Sequence, residues 1–94
     1  MILSIVVPTY NIEKYIERNI ESFLNVEDKL KSLFEVLIIN DGSTDNTLQV
    51  VTELIEKIDC LNIRVINKSN GGHGSAVNKG IEEAKGKYFK IVDG

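Results

Sequence analysis

The feature of this sequence that most limits its fold is an alternation between strand-like and helix-like spacing of apolar residues. The first apolar run, LSIVVPTY, is rich in β-branched residues and closes around Pro8. From Ile12 the apolar residues recur every three or four positions, which is typical of one helix face. The two spacings go on alternating in the order β-α-β-α-β-α-β. The three helical stripes are Ile12, Ile16, Ile20, Phe23 and Leu24; Leu48, Val51, Leu54, Ile55 and Ile58; and Val77, Ile81 and Ala84.

This alternation predicts an α/β fold. Right-handed crossovers between successive strands give a mostly parallel sheet with helices on both faces. The second strand, FEVLIIN, is a continuous apolar run of the kind that is covered on both faces. The polar stretch NVEDKLKS is expected only to bridge to it. We expect Asn11 to cap the first helix, and Ser43, Thr44 and Asp45 to cap the second.

Composition and charge exclude several classes of protein. The 94 residues are 43% hydrophobic and 27% charged, which is the balance of one globular domain or part of one. A net charge of −3 argues against a nucleic-acid binder, which needs a basic face. The start, MILSIVVPTY, lacks the basic region of a signal peptide, and no apolar run is long enough to span a bilayer. The single Cys60 excludes an internal disulfide and fits a reducing cytosol.

Polar and small residues cluster directly after each predicted strand. The clusters are PTYN, NDGSTDN, NKSNGGHGS and DG. The carboxyl ends of parallel strands share one edge of a sheet, and ligands bind at that edge. The alternative is that these loops need Gly, Asn, Asp and Ser only for turns and helix caps.

Two common phosphate-binding motifs are absent from the sequence. The dinucleotide fingerprint has a third glycine where Val77 stands after Gly72-His73-Gly74, and the P-loop pattern does not occur. The sequence therefore argues against a Rossmann dehydrogenase and a P-loop enzyme.

Taken together, the four clusters resemble a known family. SIVVPTYN, VLIINDGSTDNT, NGGHGSAVNKGI and GKYFKIVDG are similar, in this order, to the nucleotide-binding half of a family 2 glycosyltransferase with the GT-A fold. The resemblance covers essentially the whole chain. In that family the fourth strand leads into a D-x-D type motif, and this chain ends after Asp93 and Gly94. The resemblance thus implies that residues 1–94 are an incomplete N-terminal nucleotide-sugar-binding portion, cut inside the metal-binding motif, with a sheet order of 3-2-1-4.

The resemblance assigns the nucleobase pocket to the first two clusters. Pro8, Thr9 and Tyr10 match positions that line it, and a tyrosine ring offers a face on which a base can stack. Asp41 matches an acid that accepts a hydrogen bond from uracil N3–H, a donor that cytosine lacks, so it could select uridine. Asn40 stands where many relatives carry a first aspartate. The alternatives are a core position for Tyr10 and a turn or cap role for Asp41.

The resemblance assigns the diphosphate and the metal to the last two clusters. Gly72 permits close backbone approach, the helix start that follows attracts anions, and His73 could add a donor unless it is merely solvated. Val77 replaces an arginine that many relatives carry, and Asn78 either contacts ligand or braces the loop. Asp93 is expected to bind the donor and to ligate Mn²⁺ or Mg²⁺, but only with residues beyond Gly94.

The chemistry that the resemblance implies is transfer of a sugar, with inversion, from a UDP-sugar donor to a hydroxyl of a glycan or lipid-linked acceptor. The general base is expected beyond residue 94, so no catalytic residue is assigned and the chain by itself should be inactive. We expect a role in polysaccharide or cell-envelope glycan synthesis, in the cytoplasm or at the inner face of the membrane. The alternative is a non-catalytic doubly wound binding or interaction module. The apolar stretch from Tyr88 to Val92 is expected to be an unpaired edge that supports self-association.

Overall fold

A computed structural model of the protein describes residues 1–92, and every structural statement below refers to them. The elements are β1 (Leu3–Thr9), α1 (Ile16–Leu24), α2 (Asp28–Lys31), β2 (Phe34–Asp41), α3 (Thr47–Glu56), β3 (Asn62–Lys68), α4 (His73–Glu83) and β4 (Tyr88–Ile91). The predicted alternation is confirmed. The one addition is α2, a single turn within the stretch expected only to bridge. In residues 1–92 no helix combines the length and the apolar character needed to cross a membrane.

The four strands form one parallel sheet in the order β3-β2-β1-β4, as expected. The register pairs Thr9 of β1 with Asn40 of β2, and Asp41 of β2 with Lys68 of β3. The carboxyl ends of these three strands therefore lie side by side. The loops that follow them emerge at one edge of the sheet.

Helices cover both faces of the sheet, also as predicted. On one face, buried residues of α1 and α3 pack against β1, β2 and β3, and this larger core contains Ile5, Val7, Ile16, Ile20, Phe34, Val36, Ile38, Val51, Leu61 and Ile63. On the other face, α4 packs against β1 and β2 in a smaller core of Val6, Leu37, Ile39 and Ala76. All eight residues of β2 are buried, which explains why its sequence is almost continuously apolar.

The buried face of α4 differs from the apolar stripe read from the sequence. Ile81 is 38% exposed, and the buried residues of α4 are Ala76 and Gly80. A Cβ atom placed on Gly80 would overlap Cγ1 of Val6 in β1. The helix thus uses its smallest side chains to approach the sheet closely, and apolar spacing alone does not reveal such a contact.

A buried carboxylate interrupts the apolar run of β2. Glu35 Oε2 accepts hydrogen bonds from Ser4 Oγ at 2.6 Å and from the Lys85 amide at 2.7 Å. Ser4 Oγ also accepts a hydrogen bond from the Gly86 amide, and Arg64 Nη2 lies 3.8 Å from Glu35 Oε1. Burial raises the pKa of Glu35, but the hydrogen bonds from Ser4 and Lys85 outweigh burial and leave it lower than usual. This network fixes the connection between α4 and β4.

We expect Gly80→Ala to lower the free energy of unfolding by about 1–3 kcal/mol, because the added methyl overpacks the contact with Val6. That cost outweighs the gain in helix propensity of about 1 kcal/mol. Gly74→Ala is the matched control, since nothing lies within 4 Å of a Cβ added at that position of the same helix. Urea unfolding followed by circular dichroism measures both, and equal stability of the two variants would contradict this account of α4.

Candidate functional site

A cleft of about 500 Å³ opens at the carboxyl edge of the sheet. It lies between the loop after β1 and the N-terminus of α4. The predicted residues Pro8, Thr9, Tyr10, Asp41, Gly72 and His73 all line it, together with Ile12, Asn70 and Ala76. Three loops that are distant in sequence therefore meet as the strand order requires.

The end of β1 contributes one wall of this cleft. Pro8 is buried. The pairing of β1 with β4 ends at Val6, so the N–H that Pro8 lacks is not needed for a hydrogen bond between these two strands. Thr9 is buried, and its Oγ1 donates a hydrogen bond to the Val7 carbonyl oxygen at 3.0 Å. Tyr10 follows at the mouth, 47% exposed, so the structure does not place it in the core. Its ring is accessible to a planar ligand.

Asp41, the last residue of β2, is buried in the wall of the cleft. Its Oδ1 accepts hydrogen bonds from Lys68 Nζ at 2.8 Å and from the Gly71 amide at 2.9 Å. Its Oδ2 accepts one from the Gly72 amide at 2.9 Å. Gly72 is the N-cap residue of α4, with a φ of 92° that favours glycine. The carboxylate thus fixes the start of the helix relative to the sheet.

The same hydrogen bonds keep Asp41 ionised. Burial raises the pKa of its carboxyl, but the hydrogen bonds from Lys68, Gly71 and Gly72 and the charge of Lys68 together lower it below its usual value. Asp41 is therefore a carboxylate acceptor at neutral pH.

Asn70 lines the cleft, and the sequence analysis did not identify it. Gly42 approaches it so closely that a Cβ added there would lie 2.5 Å from the Asn70 backbone nitrogen, and Gly42 has a φ of 65°. The loops after β2 and β3 therefore pack against each other. The signal that could have found Asn70 is its place immediately before Gly71 and Gly72, which bind Asp41.

Asn11 does not cap α1, so that expectation is wrong. The helix begins at Ile16, with Tyr15 at the N-cap position. Asn11 has a positive φ of 51°, and its Oδ1 accepts hydrogen bonds from the amides of Thr44 at 2.8 Å and Asp45 at 3.3 Å. Its side chain holds the loop after β1 against the loop after β2.

The expected capping of α3 by Ser43, Thr44 and Asp45 holds only for Asp45. Asp45 Oδ1 accepts a hydrogen bond from the amide of Thr47, the first residue of α3, at 3.0 Å, while Asn46 occupies the N-cap position. Ser43 Oγ donates to Asn40 Oδ1 at 2.6 Å and accepts from the Asn11 amide at 3.0 Å. Thr44 binds Asn11 as well. Ser43 and Thr44 therefore connect loops rather than cap the helix.

One predicted site residue, Asn78, does not line this cleft, and another lies outside the described residues. Asn78 is exposed on α4 and lines a second cleft of about 400 Å³, together with Lys68, Ser75, Lys79 and Glu82. Asp93 lies outside the described residues. The roles predicted for both, like those of the cleft residues, stay predictions.

The described residues do not by themselves form a metal site. Within residues 1–92 there is no group of three or more His, Cys, Asp or Glu side chains that could hold an ion. Asp41, the carboxylate of the cleft, is already bound by Lys68 and two amides. The expectation of Mn²⁺ or Mg²⁺ binding thus rests on Asp93 together with residues beyond Gly94.

Comparison with known proteins gives consistent results. A family model described as glycosyl transferase family 2 matches residues 4–94. The chain is 42% identical over 97 residues to a dolichyl-phosphate beta-glucosyltransferase of Dictyostelium discoideum, an alignment covering 97% of this chain and 30% of that protein. It is 39% identical over 93 residues to the poly(ribitol-phosphate) beta-N-acetylglucosaminyltransferase TarS of Staphylococcus aureus, covering 99% of this chain and 16% of that protein.

Solved structures show the same similarity. A crystal structure of S. aureus TarS in complex with UDP superimposes with a TM-score of 0.82 at 37% identity, covering 99% of this chain and 27% of that chain. The mannosyltransferase PcManGT from Pyrobaculum calidifontis, in complex with GDP-Man and Mn²⁺, gives a TM-score of 0.89 at 26% identity, covering 97% and 26%. The chain thus spans less than a third of the length of these relatives. Its architecture is that of the Rossmann-like half of the GT-A fold.

The lowered pKa of Asp41 predicts how the free energy of unfolding changes at acid pH. The stabilisation that Asp41 provides is complete above its unfolded pKa of about 3.9 and is lost as the pH falls through the lower folded value. Asp41→Asn should therefore be less stable than the unmodified chain at neutral pH, by a difference that shrinks below about pH 4. Urea unfolding at a series of pH values measures this difference. Glu35 and Asp45, whose pKa values are also lowered, are present in the unmodified chain and in Asp41→Asn, so their titration affects both alike. A stability difference between the two that does not change with pH would refute the role of Asp41.

Proposed function

Because the chain belongs to glycosyl transferase family 2, we propose that it forms the donor-binding part of an enzyme that transfers a sugar from a UDP-sugar to an acceptor hydroxyl. The observation that carries this proposal is the meeting of Tyr10, Asp41 and the N-terminus of α4 in one cleft at the carboxyl edge of the sheet. The complexes of its structural relatives with UDP and with GDP-Man support a nucleotide-sugar as the ligand class.

The two walls of the cleft suit the flat face and the N3–H edge of a uracil base. Tyr10 is exposed at the mouth and can stack on the flat face of the ring, an interaction worth about 1–3 kcal/mol per base. Asp41 is ionised, and a carboxylate has about four acceptor positions, of which the described residues occupy three. The remaining position, on Oδ2, can accept a hydrogen bond from uracil N3–H.

The N-terminus of α4 suits the diphosphate. The first turn of a helix carries amides without intrahelical acceptors and the positive end of the helix dipole, so it attracts anions. Gly72 and His73 begin this helix and line the cleft, and a Cβ at Gly72 would meet nothing within 4 Å, so the backbone there is open to a ligand. A chain of net charge −3 can thus hold an anion locally.

The proposed reaction is a single displacement with inversion at the anomeric carbon. A general base takes the proton of the acceptor hydroxyl, the hydroxyl oxygen forms the new bond to the anomeric carbon, and the bond to the diphosphate breaks with its electron pair leaving on the phosphate oxygen. No described residue is assigned as that base. The part played by residues 1–92 is to bind and orient the donor.

The proposed metal and acceptor sites involve residues outside those that the structure describes. Asp93 is proposed as one ligand of Mn²⁺ or Mg²⁺, which when bound would stabilise charge on the departing diphosphate. A glycan or lipid-linked acceptor, and a place in polysaccharide or cell-envelope synthesis in the cytoplasm or at the inner face of the membrane, are proposed from the named activities of the relatives. A non-catalytic module is disfavoured by the family match over residues 4–94.

Nucleotide titration tests the proposed pocket. We expect the unmodified chain to bind UDP more tightly than CDP, because cytosine has no donor at N3 for Asp41. Asp41→Asn should remove this preference. Tyr10→Ala should instead weaken UDP and CDP equally, by about 1–3 kcal/mol, because stacking is tolerant of base identity. Isothermal titration calorimetry with and without Mn²⁺ measures these affinities, and the metal should change them little.

Tyr15→Ala is the matched control for this titration, since Tyr15 is exposed at the start of α1 and does not line the cleft. It should leave both affinities unchanged. Equal binding of UDP and CDP by the unmodified chain would contradict the role of Asp41, and absence of nucleotide binding would contradict the proposed function.

Self-association through β4 is also proposed. Among the described residues β4 pairs only with β1, and its Tyr88 and Phe89 are 61% and 53% exposed. An open strand edge with apolar side chains favours pairing with another chain. We expect light scattering to show a concentration-dependent dimer or larger species, and Phe89→Lys to shift it towards monomer while Tyr15→Lys does not. A monomer at every concentration would contradict this.

A further inference from the structure

The two oxygens of Asp41 are used unequally by the protein. Oδ1 accepts two hydrogen bonds, from Lys68 Nζ and the Gly71 amide, and Oδ2 accepts one, from the Gly72 amide. Each carboxylate oxygen has about two acceptor positions. Among the described contacts, Oδ1 is therefore saturated and Oδ2 keeps one position. Asp41 lines the cleft, so the described contacts leave it one acceptor position for a ligand.

Lys68 is held in place for this role. It is the last residue of β3 and lies directly opposite Asp41 in the register of the sheet. Its Nζ also donates a hydrogen bond to the Ser69 carbonyl oxygen at 2.7 Å, and its side chain is only 16% exposed. An ammonium bound to two acceptors and largely shielded from solvent does not readily release Oδ1.

A single acceptor distinguishes between nucleobases. Uracil presents one donor, N3–H, between two carbonyl oxygens, so one acceptor position satisfies it. Guanine presents two adjacent donors, N1–H and the 2-amino group, and a carboxylate recognises them best when both oxygens accept. A guanine bound at Asp41 would leave one of these donors without its carboxylate partner, and a buried polar group without a partner is unfavourable.

We propose that Lys68 is a positioning residue that sets base specificity: by occupying Oδ1 together with Gly71, it restricts Asp41 to one accepted hydrogen bond and so favours uridine over guanosine diphosphates. This inference rests on the proposed function, because it assumes that the base lies against Asp41. It goes beyond that function in assigning the discrimination to a lysine that does not line the cleft.

The first test uses the unmodified chain and three nucleotides, UDP, GDP and IDP. Hypoxanthine in IDP has N1–H but lacks the 2-amino group of guanine, so the ratio of GDP to IDP affinity reports whether a second acceptor is available. We expect GDP and IDP to bind within about twofold of each other, and UDP to bind at least about tenfold more tightly than either. A GDP affinity about tenfold above that of IDP would overturn the inference, since it would show that the site accepts both donors.

The second test frees Oδ1 by substitution. Lys68→Met removes one donor and keeps a side chain of similar length, so the 2-amino group of guanine gains an acceptor. The GDP-to-IDP affinity ratio should then rise by about threefold to tenfold, and the preference for UDP over GDP should fall correspondingly. Lys79→Met is the matched control, because Lys79 lies on α4 with its ion pairs to Glu82 and Glu83 and does not contact Asp41; it should leave both ratios unchanged.

These ratios separate specificity from structural damage. If Lys68→Met weakens UDP, GDP and IDP by one common factor, Lys68 supports the loop or offsets the charge of Asp41 without setting base specificity, and the inference is wrong. If Lys68→Met does not fold, the GDP-to-IDP ratio of the unmodified chain decides alone. If the unmodified chain binds UDP and GDP equally well, the inference fails while nucleotide binding stands. If no nucleotide binds at all, the proposed function fails and the inference fails with it.

Discussion

The geometry of the candidate site depends on the hydrogen bonds that Asp41 makes to Gly71 and Gly72. They join the end of β2 to the start of α4, so the helix N-terminus faces the edge where β1 and β2 end. Each bond to an ionised acceptor is stronger than a neutral one, and together they fix both position and direction. They add to the close approach of Gly42 to Asn70 in holding the loop after β3. One buried carboxylate therefore fixes the side of the cleft that α4 forms.

Asp41 can reach the amides of Gly71 and Gly72 because α4 lies close to the sheet. Gly80 and Ala76 let the helix approach Val6 and its neighbours, and the Glu35 network fixes the chain as it leaves the helix. Both ends of α4 are thus attached to β2, one by Asp41 and the other through Glu35. A rigid helix held at both ends suits a site that must present backbone amides at fixed positions.

The sequence predicts those features that depend on the hydrophobic period. The parallel sheet, the coverage of both faces and the meeting of Tyr10 with Asp41 and Gly72 follow from alternation and from polar residues after each strand, whereas the strand order was implied by the family resemblance. What it does not reveal depends on single contacts. Asparagine is a common helix cap, but Asn11 has a positive φ and its side chain binds the loop after β2 instead. Capping propensity does not predict a hydrogen-bond partner in another loop. Gly80 has no apolar side chain to mark it as buried. Glu35 and Asn70 acquire their roles from residues far away in the chain.

The pairing of Asp41 with Lys68 also resolves an electrostatic difficulty. A carboxylate at the N-terminus of α4 partly cancels the positive potential of the helix dipole. The negative charge of Asp41 would also repel a diphosphate in the same cleft. Lys68, 2.8 Å away and largely buried, offsets that charge where solvent screens it least. The helix N-terminus then retains its attraction for an anion although Val77 stands where an arginine is common in the family. In the proposed function, one lysine outside the cleft would thus allow the same carboxylate to order the loop and to face a base while offsetting its repulsion of the diphosphate.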